Sequence, residues 1–236
     1  MKEWKKLITD GPVMRVLSFL VLSFATLVYC LYDTIILGMR IKGRRNLRPL
    51  RRKGCVVISN HTLIIEPGYI SHAIFPRHPY FSIMEQTFVN PLAEWGLRLL
   101  RGFPIPRKNG FERIKPEIRR VLKRGGSVHF FPEGHLTRLC QEPRPFKKGA
   151  FLIALENQVP VLPVATVIHP GRFRSRTAGK TADKKRGGKF FRLTMVISEP
   201  LFPPPCPESR EELMKAASEM AHQAHKIISD SIKDNS

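Results

Sequence analysis

The sequence predicts an α/β fold: a single mixed sheet flanked by helices, preceded by an N-terminal hydrophobic membrane-anchoring helical segment. Three observations carry this. From Gly54 onward, short apolar runs alternate with amphipathic stretches, as when strands and helices take turns around one sheet. Ahead of them, Val16 to Tyr32 runs without a charge, which is uncommon in the core of a soluble domain. A length of 236 residues is enough for one well-buried domain and does not require two. The expected division is residues 1–42 as the membrane anchor and 43–236 as the sheet domain.

As a helix, Val16 to Tyr32 would measure roughly 25 Å against a hydrocarbon core of about 30 Å. Extension to Met39 supplies the length but places Asp33 in the bilayer, at up to about 3 kcal/mol near its centre. Both flanks are basic, with Lys2, Lys5, Lys6 and Arg15 before and Arg40, Lys42, Arg44, Arg45, Arg48, Arg51, Arg52 and Lys53 after. The positive-inside rule puts the downstream side in the cytoplasm by a small margin. A re-entrant or in-plane helix with both ends on the cytoplasmic face of the inner (plasma) membrane accounts for the flanks equally well. No small-x-small cleavage site is present, and Tyr29 stands where a lipoprotein signal needs a small residue before Cys30.

In the sheet domain, strands are expected at Cys55 to Ser59, Tyr80 to Met84, Ser127 to Phe131, Pro160 to Ile168 and Phe190 to Ile197. Helices are expected from Gly68 to Ile74, Pro91 to Arg101, Lys115 to Arg124, Gly149 to Asn157 and Ser209 to Lys233. The third helix has Pro116 in its first turn and stops at Gly125-Gly126. His169 to Lys189 carries Arg172, Arg174, Arg176, Lys180, Lys184, Lys185, Arg186 and Lys189 with almost no apolar residue, and reads as a loop attracted to anionic headgroups.

The formal charge of +21 points to a polyanionic neighbour: nucleic acid, an anionic membrane or phosphorylated substrates. Cys30, Cys55, Cys140 and Cys206 lack the paired spacing of a zinc site or a disulfide framework, which fits reduced cytosol.

The chemistry centres on Cys55-Val-Val-Ile-Ser-Asn-His61-Thr-Leu-Ile-Ile-Glu66-Pro67, a strand that runs into a turn bearing a base and, five positions on, an acid. With 8 histidines and 19 acids, chance alone gives about 0.6 such pairs. His225 and Asp230 form a second pair, in a polar terminal helix where residues five apart face different directions. The His61 pair differs because Pro67 disfavours helical geometry at Glu66, so residues 61–66 form a turn that can return the carboxylate to the imidazole. Glu66 then fixes the tautomer and leaves Nε2 as a general base. Three further stretches deliver phosphate-directed groups after later strands: Gly102 to Arg107 and Lys108, Phe130-Phe-Pro-Glu133-Gly134-His135-Leu136-Thr137-Arg138, and Phe146-Lys147-Lys148-Gly149 at a helix start.

This order of blocks resembles the lysophosphatidic acid (1-acyl-glycerol-3-phosphate) acyltransferase family over most of the chain after Gly54. His61 and Glu66 match its histidine, four residues, acid block. Glu85-Gln-Thr-Phe-Val-Asn-Pro-Leu with Gly102 to Arg107 looks like the second block, Phe131-Pro-Glu-Gly134 like the third, and Val159-Pro-Val-Leu-Pro163 like the fourth. The resemblance implies a glycerolipid acyltransferase-like domain over 43–236, with His61 as base, Glu66 as its partner, and Arg107, Glu133 and Gly134 binding glycerol phosphate. Thr137 and Arg138 would take the role of the family's threonine and arginine, displaced here by His135 and Leu136; Lys148 joins them as a phosphate cation. Glu66 stands where the family usually has aspartate, although glutamate occurs in related lipid acyltransferases, including those that acylate lipid A. The implied reaction moves a fatty acyl group from acyl-CoA or acyl-carrier protein to the hydroxyl of 1-acyl-glycerol-3-phosphate, giving phosphatidic acid in phospholipid biosynthesis, with no metal and no cofactor. The partners expected are membrane lipid and the acyl donor, with no nucleic acid. Two alternatives stay open: another lysophospholipid or lipid A-type acceptor, and a membrane-tethered basic nucleic-acid-binding protein, which explains the charge but not the ordered blocks.

Overall fold

The computed structural model describes residues 6–35, 38–88, 90–106, 110–169 and 192–236. Its centre is a seven-stranded sheet in the order β1-β7-β6-β2-β5-β3-β4. The strands are β1 (Arg40–Lys42), β2 (Cys55–Ser59), β3 (Tyr80–Met84), β4 (Gly102–Ile105), β5 (Ser127–Phe130), β6 (Val161–His169) and β7 (Arg192–Ile197). All neighbours pair in parallel except β6 and β7, so the sheet is mixed, as the sequence predicts. The helices are α1 (Pro12–Ile35), α2 (Glu66–Ala73), α3 (Pro91–Leu99), α4 (Gly110–Lys123), α5 (Gly149–Asn157) and α6 (Arg210–Lys233).

Alternation along β2 divides the core. Val56 and Ile58 face α4, α5 and α6, whereas Cys55 and Val57 join the opposite cluster with Tyr69, Ile70 and Ile74 from α2 and its C-terminal turn. Every residue of β2 is buried, as expected of a central parallel strand covered on both faces. In α4, Ile114, Ile118, Val121 and Leu122 supply the buried stripe. This helix starts at Gly110 rather than Lys115, so Pro116 lies inside it. The proline is tolerated because the carbonyl it leaves unpaired belongs to Glu112, an exposed first-turn residue whose carbonyl water can reach.

Two strands escape a pattern-based reading, β1 and β4, and they are the two edges of the sheet. An edge strand is bonded on one side only, so it can be short and charged like Arg40-Ile41-Lys42 or carry a proline like β4 with Pro104. Arg40–Lys42, assigned to the anchor on sequence, is paired to β7 as part of the sheet.

The 24 residues of α1 make a helix of about 36 Å. It is long and apolar enough to serve as a membrane helix. Its polarity is inverted relative to a core helix: Ser18, Thr26 and Asp33 are buried, while Val13, Val16, Leu20, Phe24, Leu27 and Leu31 are exposed. Asp33, the residue that looked costly in a bilayer, is instead fully buried against the domain, with Oδ2 3.3 Å from His72 Nδ1 on α2. The chain ahead of α1 is fastened too, since Glu117 accepts the N–H groups of Leu7 and Ile8 at 3.0 and 2.6 Å.

Candidate active site

Because β2 and β5 are neighbours with their carboxyl ends on the same side, the turns that follow them meet. His61 follows β2 and Glu133 follows β5. The side chain of Asn60, between β2 and His61, bridges to β6, accepting from the Thr166 N–H at 2.8 Å and donating to its carbonyl at 3.0 Å. This fixes the chain direction just before the histidine.

His61 Nδ1 lies 2.7 Å from Glu66 Oε2. The other oxygen, Oε1, accepts the Thr62 N–H at 2.9 Å and the Thr62 hydroxyl at 2.8 Å. Glu66 is wholly buried, and its carboxylate is oriented by three donors. It opens α2 rather than preceding it, so the helix starts two residues earlier than expected, with Pro67 in the first turn where its missing N–H costs nothing. The glutamate reaches back across a turn made by residues 61–65. The Nδ1–Glu66 bond makes Nδ1 the proton-bearing nitrogen and leaves the lone pair on Nε2.

A third contact fixes the imidazole plane. The Phe131 ring stacks on His61 with centroids 3.7 Å apart and planes 18° from parallel. Behind it lies His129, fully buried, whose Nε2 is 3.0 Å from the Ser59 hydroxyl and whose ring meets Phe131 edge-on. Burial, with the neighbouring His61 adding to it, pushes the His129 pKa down to about 3. His129 is therefore neutral across the physiological range.

Glu133 joins the two turns through their backbones. Its Oε1 accepts the His61 N–H at 2.8 Å and its Oε2 accepts the Arg144 N–H at 3.1 Å. Buried, and with both oxygens accepting backbone N–H groups, it ties the turn after β5 to the backbone of His61. The same turn is tied back twice more, by Thr137 N–H to the His61 carbonyl at 3.0 Å and Leu139 N–H to the Thr62 carbonyl at 3.1 Å. Thr137 thus reaches the site through its backbone.

His61 lines a cavity of about 1090 Å³, slightly above the usual range for small-ligand sites. Leu22, Ala25, Thr26 and Tyr29 of α1 form one wall; Ile64, Ile65, Met84, Leu97, Leu100 and Phe111 add apolar surface. Gly134, His135 and Lys147, exposed at its mouth, are also in the wall; Arg138 and Lys148, exposed too, are not among the lining residues. Arg107 lies outside the described residues, as does most of the basic loop expected at His169 to Lys189. The second His-acid pair is not one: His225 Nε2 is 2.9 Å from the Pro143 carbonyl. Among the described residues no cluster of His, Cys, Asp or Glu suits a metal ion.

A buried acid orienting a histidine beside a large apolar cavity is an arrangement that can serve general-base chemistry on an apolar substrate. The chain belongs to the Acyltransferase family, whose model matches residues 38–167. It is 28% identical to a 1-acyl-sn-glycerol-3-phosphate acyltransferase of Bacillus subtilis over 165 residues, covering 70% of this chain and 74% of that protein. A chloroplastic enzyme of the same description from Brassica napus is 32% identical over 130 residues, 52% of this chain and 36% of the relative, so the match spans little more than a third of that protein. The human beta form is 30% identical over 133 residues, 54% of this chain and 46% of that protein. The crystal structure of the 1-acyl-sn-glycerophosphate acyltransferase PlsC from Thermotoga maritima shares the fold, with a TM-score of 0.58 over 92% of this chain and 87% of that one at 22% identity.

Proposed function

We propose that this protein transfers a fatty acyl group from a thioester, acyl-CoA or acyl-carrier protein, to the free hydroxyl of 1-acyl-glycerol-3-phosphate, forming phosphatidic acid. The observation that carries the proposal is the His61–Glu66 pair, 2.7 Å apart, in the wall of an apolar cavity of about 1090 Å³. The names of the relatives agree with this reading. His61 Nε2 removes the hydroxyl proton as the oxygen attacks the thioester carbonyl. Glu66 stabilises the imidazolium so formed. The tetrahedral adduct collapses with loss of the thiolate, which recovers the proton from Nε2. Because a thiolate leaves readily, one displacement suffices without an acyl-enzyme.

Membrane placement fits the same reading. The outward apolar face of α1 would sit in the cytoplasmic leaflet while its inner side walls the cavity, so a lipid acceptor reaches His61 without crossing water. The test is acyl transfer by the purified chain, with donor and acceptor varied and products followed by mass spectrometry. His61→Ala should abolish transfer and still bind vesicles; substantial turnover by that variant would overturn the assignment.

A further inference from the structure

In a chain with a formal charge of +21, the cavity that holds His61 is lined, among the described residues, by a single lysine or arginine, Lys147. Its position is built by the backbone. Lys147 N–H donates to the Pro132 carbonyl at 2.9 Å, and the Arg144 N–H to Glu133 Oε2 at 3.1 Å, so segment 144–147 runs beside the turn at 131–134. The side chain then lies across Gly134. A Cβ at that glycine would meet Lys147 Nζ at 2.5 Å, Cε at 2.9 Å and Cδ at 3.3 Å. Gly134 has φ +73°, so it supplies both a left-handed backbone and the room the lysine stem occupies. No ion pair among the described residues holds the Lys147 ammonium.

We infer that Lys147 grips the phosphate monoester of the acceptor and sets the preference for a phosphorylated over a neutral acylglycerol. The inference rests on the acyl-transfer reading above and adds the group that selects its substrate. In 1-acyl-glycerol-3-phosphate the phosphate is borne on the carbon next to the one with the reacting hydroxyl. A hydroxyl at His61 Nε2 therefore brings its phosphate into the same cavity, where an ammonium on a flexible stem can follow it. The phosphates of a thioester donor lie a pantetheine arm away from the reacting carbonyl. Adjacent Lys148 stands at the N-cap position of α5, without a side-chain cap bond, and is not among the cavity-lining residues.

The test is steady-state kinetics of the full chain in mixed micelles with two acceptors, 1-acyl-glycerol-3-phosphate and monoacylglycerol, and with the donor titrated separately. Lys147→Met should raise KM for the phosphorylated acceptor roughly 10- to 100-fold, with donor KM and monoacylglycerol turnover unchanged. Lys147→Arg should restore most of the preference. An unchanged acceptor KM would overturn the inference. So would a kcat loss equal for both acceptors, which would make Lys147 an oxyanion donor, or a rise in donor KM alone. If the unsubstituted protein acylates neither acceptor, the acyl-transfer reading itself fails and the role of Lys147 falls with it.

Discussion

The carboxylate of Glu66 is held by the His61 imidazole and by two groups of Thr62. A carboxylate with that many donors is fixed in place before any substrate arrives. Glu66→Gln should lower kcat at least about 100-fold with acceptor KM little changed, because an amide can present its own N–H to Nδ1 and favour the wrong tautomer. Glu133 acts one step further out, through the His61 N–H and the Arg144 N–H. Glu133→Gln is therefore expected to depress kcat by weakening the hold on His61, and the acceptor KM measured beside it separates this from a loss of substrate binding. Gly134→Ala would combine a left-handed residue with a collision against Lys147 and should cost about 1–2 kcal/mol of stability, read from the urea midpoint. His61 and Glu66 were legible in sequence because strand, base, acid and proline stand in one short run. Thr62 and Phe131 were given no role, and of the two lysines after Phe146 it was Lys148 that was taken as the phosphate cation, since nothing in one chain shows which neighbour of a motif turns inward.

At the scale of elements, adjacency of β2 and β5 does the assembly, joining turns more than seventy positions apart in the chain into one site. Periodicity located the five inner strands because burial on one or both faces writes a hydrophobic pattern. It missed β1 and β4 because an edge relaxes that pattern. Helix α1 is a different case: its apolar content was evident, but its direction of burial was not. Leu20 and Phe24 point away from the domain. Replacing both with serine should weaken partition onto anionic vesicles by at least about a hundredfold in a flotation assay, since each exposed side chain would forfeit roughly 1.5–3 kcal/mol of transfer. Activity on detergent-dispersed acceptor should survive.

For the whole molecule, buried neutral histidines set the acid limit of stability. The pKa of His129 falls to about 3 and that of His78 to about 4, both chiefly by burial, with Arg101 assisting at His78. The unfolded chain takes up these protons near pH 6.5, whereas the native state does so only below about 4. Stability is fully present above pH 6.5 and should decline by about 1.4 kcal/mol per pH unit per histidine as pH falls toward 4. His129→Gln, whose amide can still pair with the Ser59 hydroxyl, should flatten that decline in urea titrations from pH 7 to pH 4.5; an unchanged slope would remove His129 as a cause. Fold class, central strands, an apolar N-terminal helix and the His61–Glu66 pair are all local features, written as periodicity and spacing within short windows. Which basic residue enters the cavity, what Glu133 holds and which face of α1 meets the domain depend on side chains brought together from distant segments. A sequence records their chemistry, but their directions are set by how the helices and turns pack on the sheet.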